Sequence, residues 1–134
     1  MSIPDFRTAV RTALFCAAGC FLSPFDWGAF TSPFPTGNLI LSMVFHLMVC
    51  SAGVRTIQEW WWLPPGGRWP SLILASFLLV VEATIGFASV FMQTSSAHNQ
   101  LPANLIIVGF GLGFLAIFAI LHRAAGRKDL PELD

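Results

Sequence analysis

Two residues of this chain carry side chains whose chemistry conflicts with their surroundings. Glu82 stands in the apolar run Ser71 to Gln93, and His46 in the apolar run Asn38 to Trp62. A carboxyl near the middle of a bilayer costs at least ~2.5 kcal/mol, so Glu82 is a functional candidate by default. Counted from the same end of the two runs at ~1.5 Å per residue, His46 lies about 12 Å deep and Glu82 about 16 Å deep. The two side chains can touch if the runs are neighbours, which the short turn joining them favours. Two chemistries then compete: a proton or cation relay, and a buried polar pair that fixes helix packing.

The remaining reactive side chains are weaker candidates. Cys16/Cys20 and His46/Cys50 are i, i+4 pairs, and three thiolates with one imidazole make a soft-metal donor set. Deprotonating three thiols in hydrocarbon is costly, and small buried cysteines are common, so no metal is expected at Cys16, Cys20 and Cys50. An odd count without loop cysteines does not describe a disulfide framework either. Paired axial haem ligands need two histidines at one depth, whereas His46, His98 and His122 fall at three different levels. Gly109, Gly111 and Gly113 lie inside an apolar run, which fails the dinucleotide fingerprint; Gly109 and Gly113, with Ala116, read as a small-xxx-small helix-packing stripe. No Ser/His/Asp, Cys/His or paired-carboxylate constellation is present, so no catalytic activity and no cofactor beyond bound lipid is expected.

These residues need membrane helices to hold them. The chain has 134 residues, 55% hydrophobic and 10% charged, far from the ~25% charge of soluble domains. Seven Lys and Arg balance seven Asp and Glu, leaving no basic excess for a nucleic-acid backbone. A spanning helix requires about 20 apolar residues. Four runs qualify or nearly do: 6–22 (the shortest), 38–62, 71–93 and 104–121. Arg7 and Arg11 before a short apolar core, followed by Ala17-Ala18-Gly19-Cys20, also suit a signal peptide, but the run is read here as a retained span.

All seven basic residues fall on one side. Arg7 and Arg11 open the first span, Arg55 and Arg68 bracket the turn between the second and third, and Arg123, Arg127 and Lys128 follow the fourth. Basic residues in short loops stay cytoplasmic, so an N-in, C-in topology in a bacterial cytoplasmic (inner) membrane is expected. Trp27, Trp60, Trp61, Trp62 and Trp69 stand at the ends of the runs, where interfacial anchors belong. The expected architecture is one all-α domain over 1–134, four transmembrane helices in an antiparallel bundle, with 124–134 as a mobile cytoplasmic tail.

Lipid is as apolar as leucine, so membrane helices meet through small and weakly polar side chains. Inward stripes are accordingly expected at Thr8, Thr12, Cys16 and Cys20, with Ser23 just beyond; at Asn38, Ser42, His46, Cys50 and Gly53; at Ala75, Glu82, Gly86 and Ser89; and at Gly109, Gly113 and Ala116. The function expected is a small accessory subunit of a larger energy-transducing or transport complex, with lipids and other membrane subunits, or its own copies, as partners. The alternative is a small oligomeric ion or solute translocator using Glu82 and His46.

Overall fold

The computed structural model describes residues 4–26, 36–95 and 100–128, with side chains placed over 4–20, 40–88 and 105–127. The described residues form four helices and no strand: α1 (Phe6–Asp26), α2 (Thr36–Trp61), α3 (Trp69–Ser95) and α4 (Gln100–Lys128). Three of them, over Ile40–Trp61, Trp69–Ala88 and Leu105–Arg127, are long and apolar enough to cross a membrane. Each helix extends past its apolar segment at one end or both, because intrahelical bonding continues into polar flanks. At the far end of α4 the helix absorbs Ala124 to Lys128, the first part of the expected tail, and Ala125 is buried there. Residues 129–134, Trp27 and His98 lie outside the described residues.

Local signals set the ends. The carbonyl of Asp5 accepts the amide of Ala9 at 2.9 Å, which starts α1 behind an aspartate, a favoured N-cap residue. Pro64, Pro65 and Gly66-Gly67 break α2 from α3, and Gly67 takes φ 79°, a left-handed conformation that side chains disfavour. Arg68 closes the turn: Nη1 donates to the Trp61 carbonyl at 3.1 Å and the Leu63 carbonyl at 2.9 Å, satisfying acceptors that a helix C-terminus leaves open.

The helices alternate in direction but not as a square. α2 packs against all three others, whereas α1 and α3 flank it and make little contact with each other. The shared seam of α2 and α4 is built from reciprocal insertions. The Phe45 ring fills the space over Gly111, where a Cβ would stand 2.4 Å from Cε1 and Cζ. The Phe118 ring fills the space over Gly53, where a Cβ would stand 2.9 Å from Cζ. Both rings are fully buried. α1 reaches α2 through a row of small residues, Ala9, Ala13, Cys16, Ala17 and Cys20, all buried, the close approach that membrane helices favour.

Polar groups on the helices are largely settled inside them. Ser51 Oγ donates to the Leu47 carbonyl and Thr84 Oγ1 to the Val80 carbonyl, so exposed hydroxyls are paired without water. Thr56, fully buried, donates to Ala52 O at 2.9 Å and approaches Phe118 O at 3.3 Å across the α2/α4 seam. Interhelical bonds of this kind average about 0.6 kcal/mol in a bilayer and reach about 1.7. Thr56→Val is therefore expected to cost no more than that in an unfolding titration in mixed micelles.

Three of the four expected inward stripes face the bundle in part. Cys16 and Cys20 are buried but Thr8 is exposed and Thr12 half-buried; Ser42, His46 and Gly53 are buried with Cys50 half-buried; Ala75, Glu82 and Gly86 are buried. The side chains of Ser23, Asn38 and Ser89 lie outside the described ones. The fourth does not. Gly109, Gly113 and Ala116 are exposed, and nothing lies within 4 Å of a Cβ built at either glycine. α4 instead turns Val108, Gly111, Leu115 and Phe118 inward. Gly111 is two residues, or about 200° of helix, from Gly109 and Gly113, so the close approach inside this chain uses the opposite side of α4. Trp60 also differs from its neighbours. It is 2% exposed and its Nε1 donates to Leu121 O at 3.0 Å, tying α2 to α4, whereas Trp61, Trp62 and Trp69 are exposed.

Candidate functional site

The antiparallel packing of α2 on α3 brings His46 and Glu82 together. Nδ1 of the imidazole and Oε1 of the carboxyl are 2.5 Å apart, with His46 5% exposed and Glu82 fully buried. Gly86, one turn along α3, makes the room: a Cβ there would meet His46 Cβ at 3.0 Å and Cγ at 3.1 Å. The base of the ring therefore packs directly against the α3 backbone. Its other neighbour is Phe45, tilted 57° to it with centroids 5.2 Å apart. That phenylalanine is the one seated over Gly111, so the pair is backed by the most tightly interlocked part of the bundle.

Each partner keeps one polar atom without a mate. His46 Nε2 and Glu82 Oε2 are buried and find no hydrogen-bond partner among the described residues. A buried polar atom left unpaired costs about 1–3 kcal/mol, so both count as unfinished business in the site.

Polarity around the pair is sparse. One turn back along α2 is Ser42, buried at 4%. In the other direction, toward the chain ends, Val49, Ala52, Ala75, Leu78 and Phe118 are buried and apolar, and the Thr56 hydroxyl is already engaged. Cys50, one turn from His46 in that direction, is half-buried in the groove between α2 and α3; beyond it no buried His, Asp, Glu, Lys or Arg follows among the described residues.

The other chemical candidates are scattered. Cys16 and Cys20 are buried on α1, whereas Cys50 lines a groove between α2 and α3 beside His46. All three are free thiols, and among the described residues no three His, Cys, Asp or Glu side chains converge as metal donors. His122 is stacked on Phe6, ring centroids 4.0 Å apart and planes within 6°, at the end where α1 begins and α4 finishes. It is separated from His46 by the apolar layer.

Two apolar hollows open on the outer surface. One, about 420 Å³, runs along the outward face of α4 over Gly109 and Gly113, between Ile106, Phe110 and Ile117. The other, about 250 Å³, is the α2/α3 groove, walled by Met43, His46, Leu47, Cys50, Ala83 and Phe87. The sequence signals for the second were present in Gly86 and Ala83, whose small size opens the wall, but spacing alone does not reveal which side of α3 they serve. Comparison with protein-family models, curated proteins and solved structures finds no match to this chain.

Proposed function

We propose that this chain is a small accessory subunit of a larger membrane complex, energy-transducing or transporting, held there by helix packing within the bilayer. The observation that carries the reading is the outward face of α4. Gly109 and Gly113 present open backbone at the spacing that brings membrane helices close, yet nothing among the described residues covers it. Exposed Phe15, Phe77, Phe87 and Phe110 add aromatic surface for docking on protein or lipid. The His46–Glu82 bond then pins α2 to α3, and the apolar layer below it speaks for a packing role.

Within this reading α1 is a fourth span, and both termini lie in the cytoplasm of a bacterium with the chain in its inner membrane. The 21 residues of α1 rise about 31 Å, matched to a hydrocarbon core of about 30 Å. The one-sided distribution of Arg and Lys supports the orientation. A reporter that matures only outside the cytoplasm, fused after Asp134, is expected to be silent; an active fusion reverses the assignment.

The subunit reading is tested by native mass spectrometry after gentle extraction. The chain is expected to leave the membrane with larger, different subunits. Recovery as a pure homo-oligomer favours the second reading, an oligomeric ion or solute translocator, which rests on the buried carboxyl and imidazole of Glu82 and His46. In that case Glu82→Gln abolishes transport; unchanged partner binding and unchanged transport in the same variant leave the pair a packing device.

A further inference from the structure

We propose that the turn between α2 and α3 binds the phosphate of an anionic phospholipid, with the Arg68 guanidinium as its counter-charge. The proposal goes beyond the subunit role and does not depend on it.

Arg68 is held in place but not neutralised. Its Nη1 donates to the Trp61 and Leu63 carbonyls, which fixes the plane of the guanidinium, and Cζ lies 5.1 Å from the centre of the Trp69 ring. Carbonyls and an aromatic face supply dipoles and a quadrupole but no net negative charge. Among the described residues the ion-pair contact is His46 with Glu82, and no carboxylate reaches Arg68. An arginine keeps its charge at any pH at which proteins fold, so this cation takes its counter-ion from outside the bundle.

One donor group remains to meet it. Both protons of Nη1 are directed at carbonyls, and Nε is enclosed without a partner. Nη2 makes no hydrogen bond among the described residues and, unlike Nε, is not enclosed. Its two protons are therefore open to an acceptor, and an anionic acceptor gives the stronger bond. A hollow of about 210 Å³ opens at the turn, with Arg68 as one wall and Trp60, Leu63 and Gly66 among the others. That is below the size of ordinary ligand pockets, so it holds a headgroup and little more.

The surroundings make the anion a lipid. The turn joins the ends of two helices that are each long enough to cross a membrane, Ile40–Trp61 and Trp69–Ala88, which puts Arg68 at headgroup level. Trp61, Trp62 and Trp69 are exposed around it, the side chains that suit this layer. From Trp69 an exposed row runs down α3 through Ile73, Phe77 and Val80, at spacings that keep to one side of the helix. A phosphate on Arg68 has its acyl chains beside that row, a contact that a soluble anion does not use. A zwitterionic headgroup brings its own ammonium to the phosphate, so the site favours a lipid with net negative charge.

The test titrates the full-length chain in detergent micelles with phosphatidylglycerol and with phosphatidylcholine of the same acyl chains, reading the lipid-bound species by native mass spectrometry. One phosphatidylglycerol is expected to be retained about fivefold or more over phosphatidylcholine, the effect of one basic residue at a lipid surface. Arg68→Gln is expected to abolish the preference. Because Arg68 also closes the turn, a second variant leaves it in place. A Cβ at Gly66 meets nothing within 4 Å, so Gly66→Glu sets a carboxylate beside the guanidinium without crowding. It is expected to abolish the preference too, whereas Gly66→Gln keeps it. Arg123→Gln removes an exposed charge from the same end of the bundle, where Ala125 packs with Trp60 and Leu63, and is expected to leave the preference intact. Glycerol phosphate, the headgroup without its chains, is expected not to bind at the lipid concentrations used. Equal retention of the two lipids, a preference that survives Arg68→Gln or Gly66→Glu, an equal loss in Gly66→Gln or Arg123→Gln, or glycerol phosphate binding as tight as the lipid overturns the proposal.

Discussion

His46→Leu is expected to destabilise the protein by about 3 kcal/mol or more, the cost of leaving a buried carboxyl without its partner. The figure lies well above the ~0.6 kcal/mol average for interhelical hydrogen bonds in bilayers, because those averages describe groups that find substitutes. Glu82 is fully buried with one oxygen already unpaired, and no second donor stands beside it among the described residues. Replacing both partners, His46→Phe with Glu82→Leu, restores apolar packing of similar volume and is expected to return stability to within about 1 kcal/mol of wild type, or above it. Unfolding titrations of the two single variants and the double variant in mixed micelles measure this cycle. A His46→Leu cost near the bilayer average would mean that the bond does not hold α3 to α2.

The second large effect concerns three glycines on one helix. Gly111→Ala places a methyl 2.4 Å from two carbons of the buried Phe45 ring, and an overpacked core costs about 1–3 kcal/mol. Phe45 has nowhere to retreat, since it is fully buried and also packs on His46. Gly109→Ala and Gly113→Ala meet open space and remove glycine from a helix interior, so each is expected to raise the stability of the isolated chain by up to about 1 kcal/mol. If the accessory role holds, those same two variants weaken recovery with partner subunits. Unfolding midpoints of the three alanine variants, compared with their yield in the complex, separate internal from external packing. A neutral Gly111→Ala would refute the interlocked seam.

These outcomes show what was legible in the sequence and what was not. The three long spans were legible because hydrocarbon length and apolar composition leave few alternatives. The meeting of His46 and Glu82 was legible because their depth is arithmetic on residue rise and their helices share a short turn. The side of α4 that faces the bundle was not legible. A small-xxx-small pattern states where close approach is permitted, and Gly109, Gly111 and Gly113 permit it on two opposite sides. The deciding information sits in another helix: Phe45 and Phe118 each need a hollow of ring size, and only Gly111 and Gly53 supply it. Trp60 was misplaced among the anchors for a related reason. Trp60 and Trp61 differ by about 100° around α2 and Trp62 lies just past its end, so adjacent indoles do not share one direction, and one of them meets Leu121 instead of the interface.

The central place of α2 also bears on how the protein is made. It is the least apolar of the three long spans and the most buried, and its polar side chains are completed by Glu82 of α3 and the Phe118 carbonyl of α4. Ribosomes deliver α2 before either of those helices exists. During that interval the span exposes His46 and Thr56 to lipid without their interhelical mates, so insertion is finished only when the last and most apolar helix arrives. A chain truncated after α2 is thus an unsatisfied membrane segment, the kind of substrate that membrane proteases and insertion chaperones recognise.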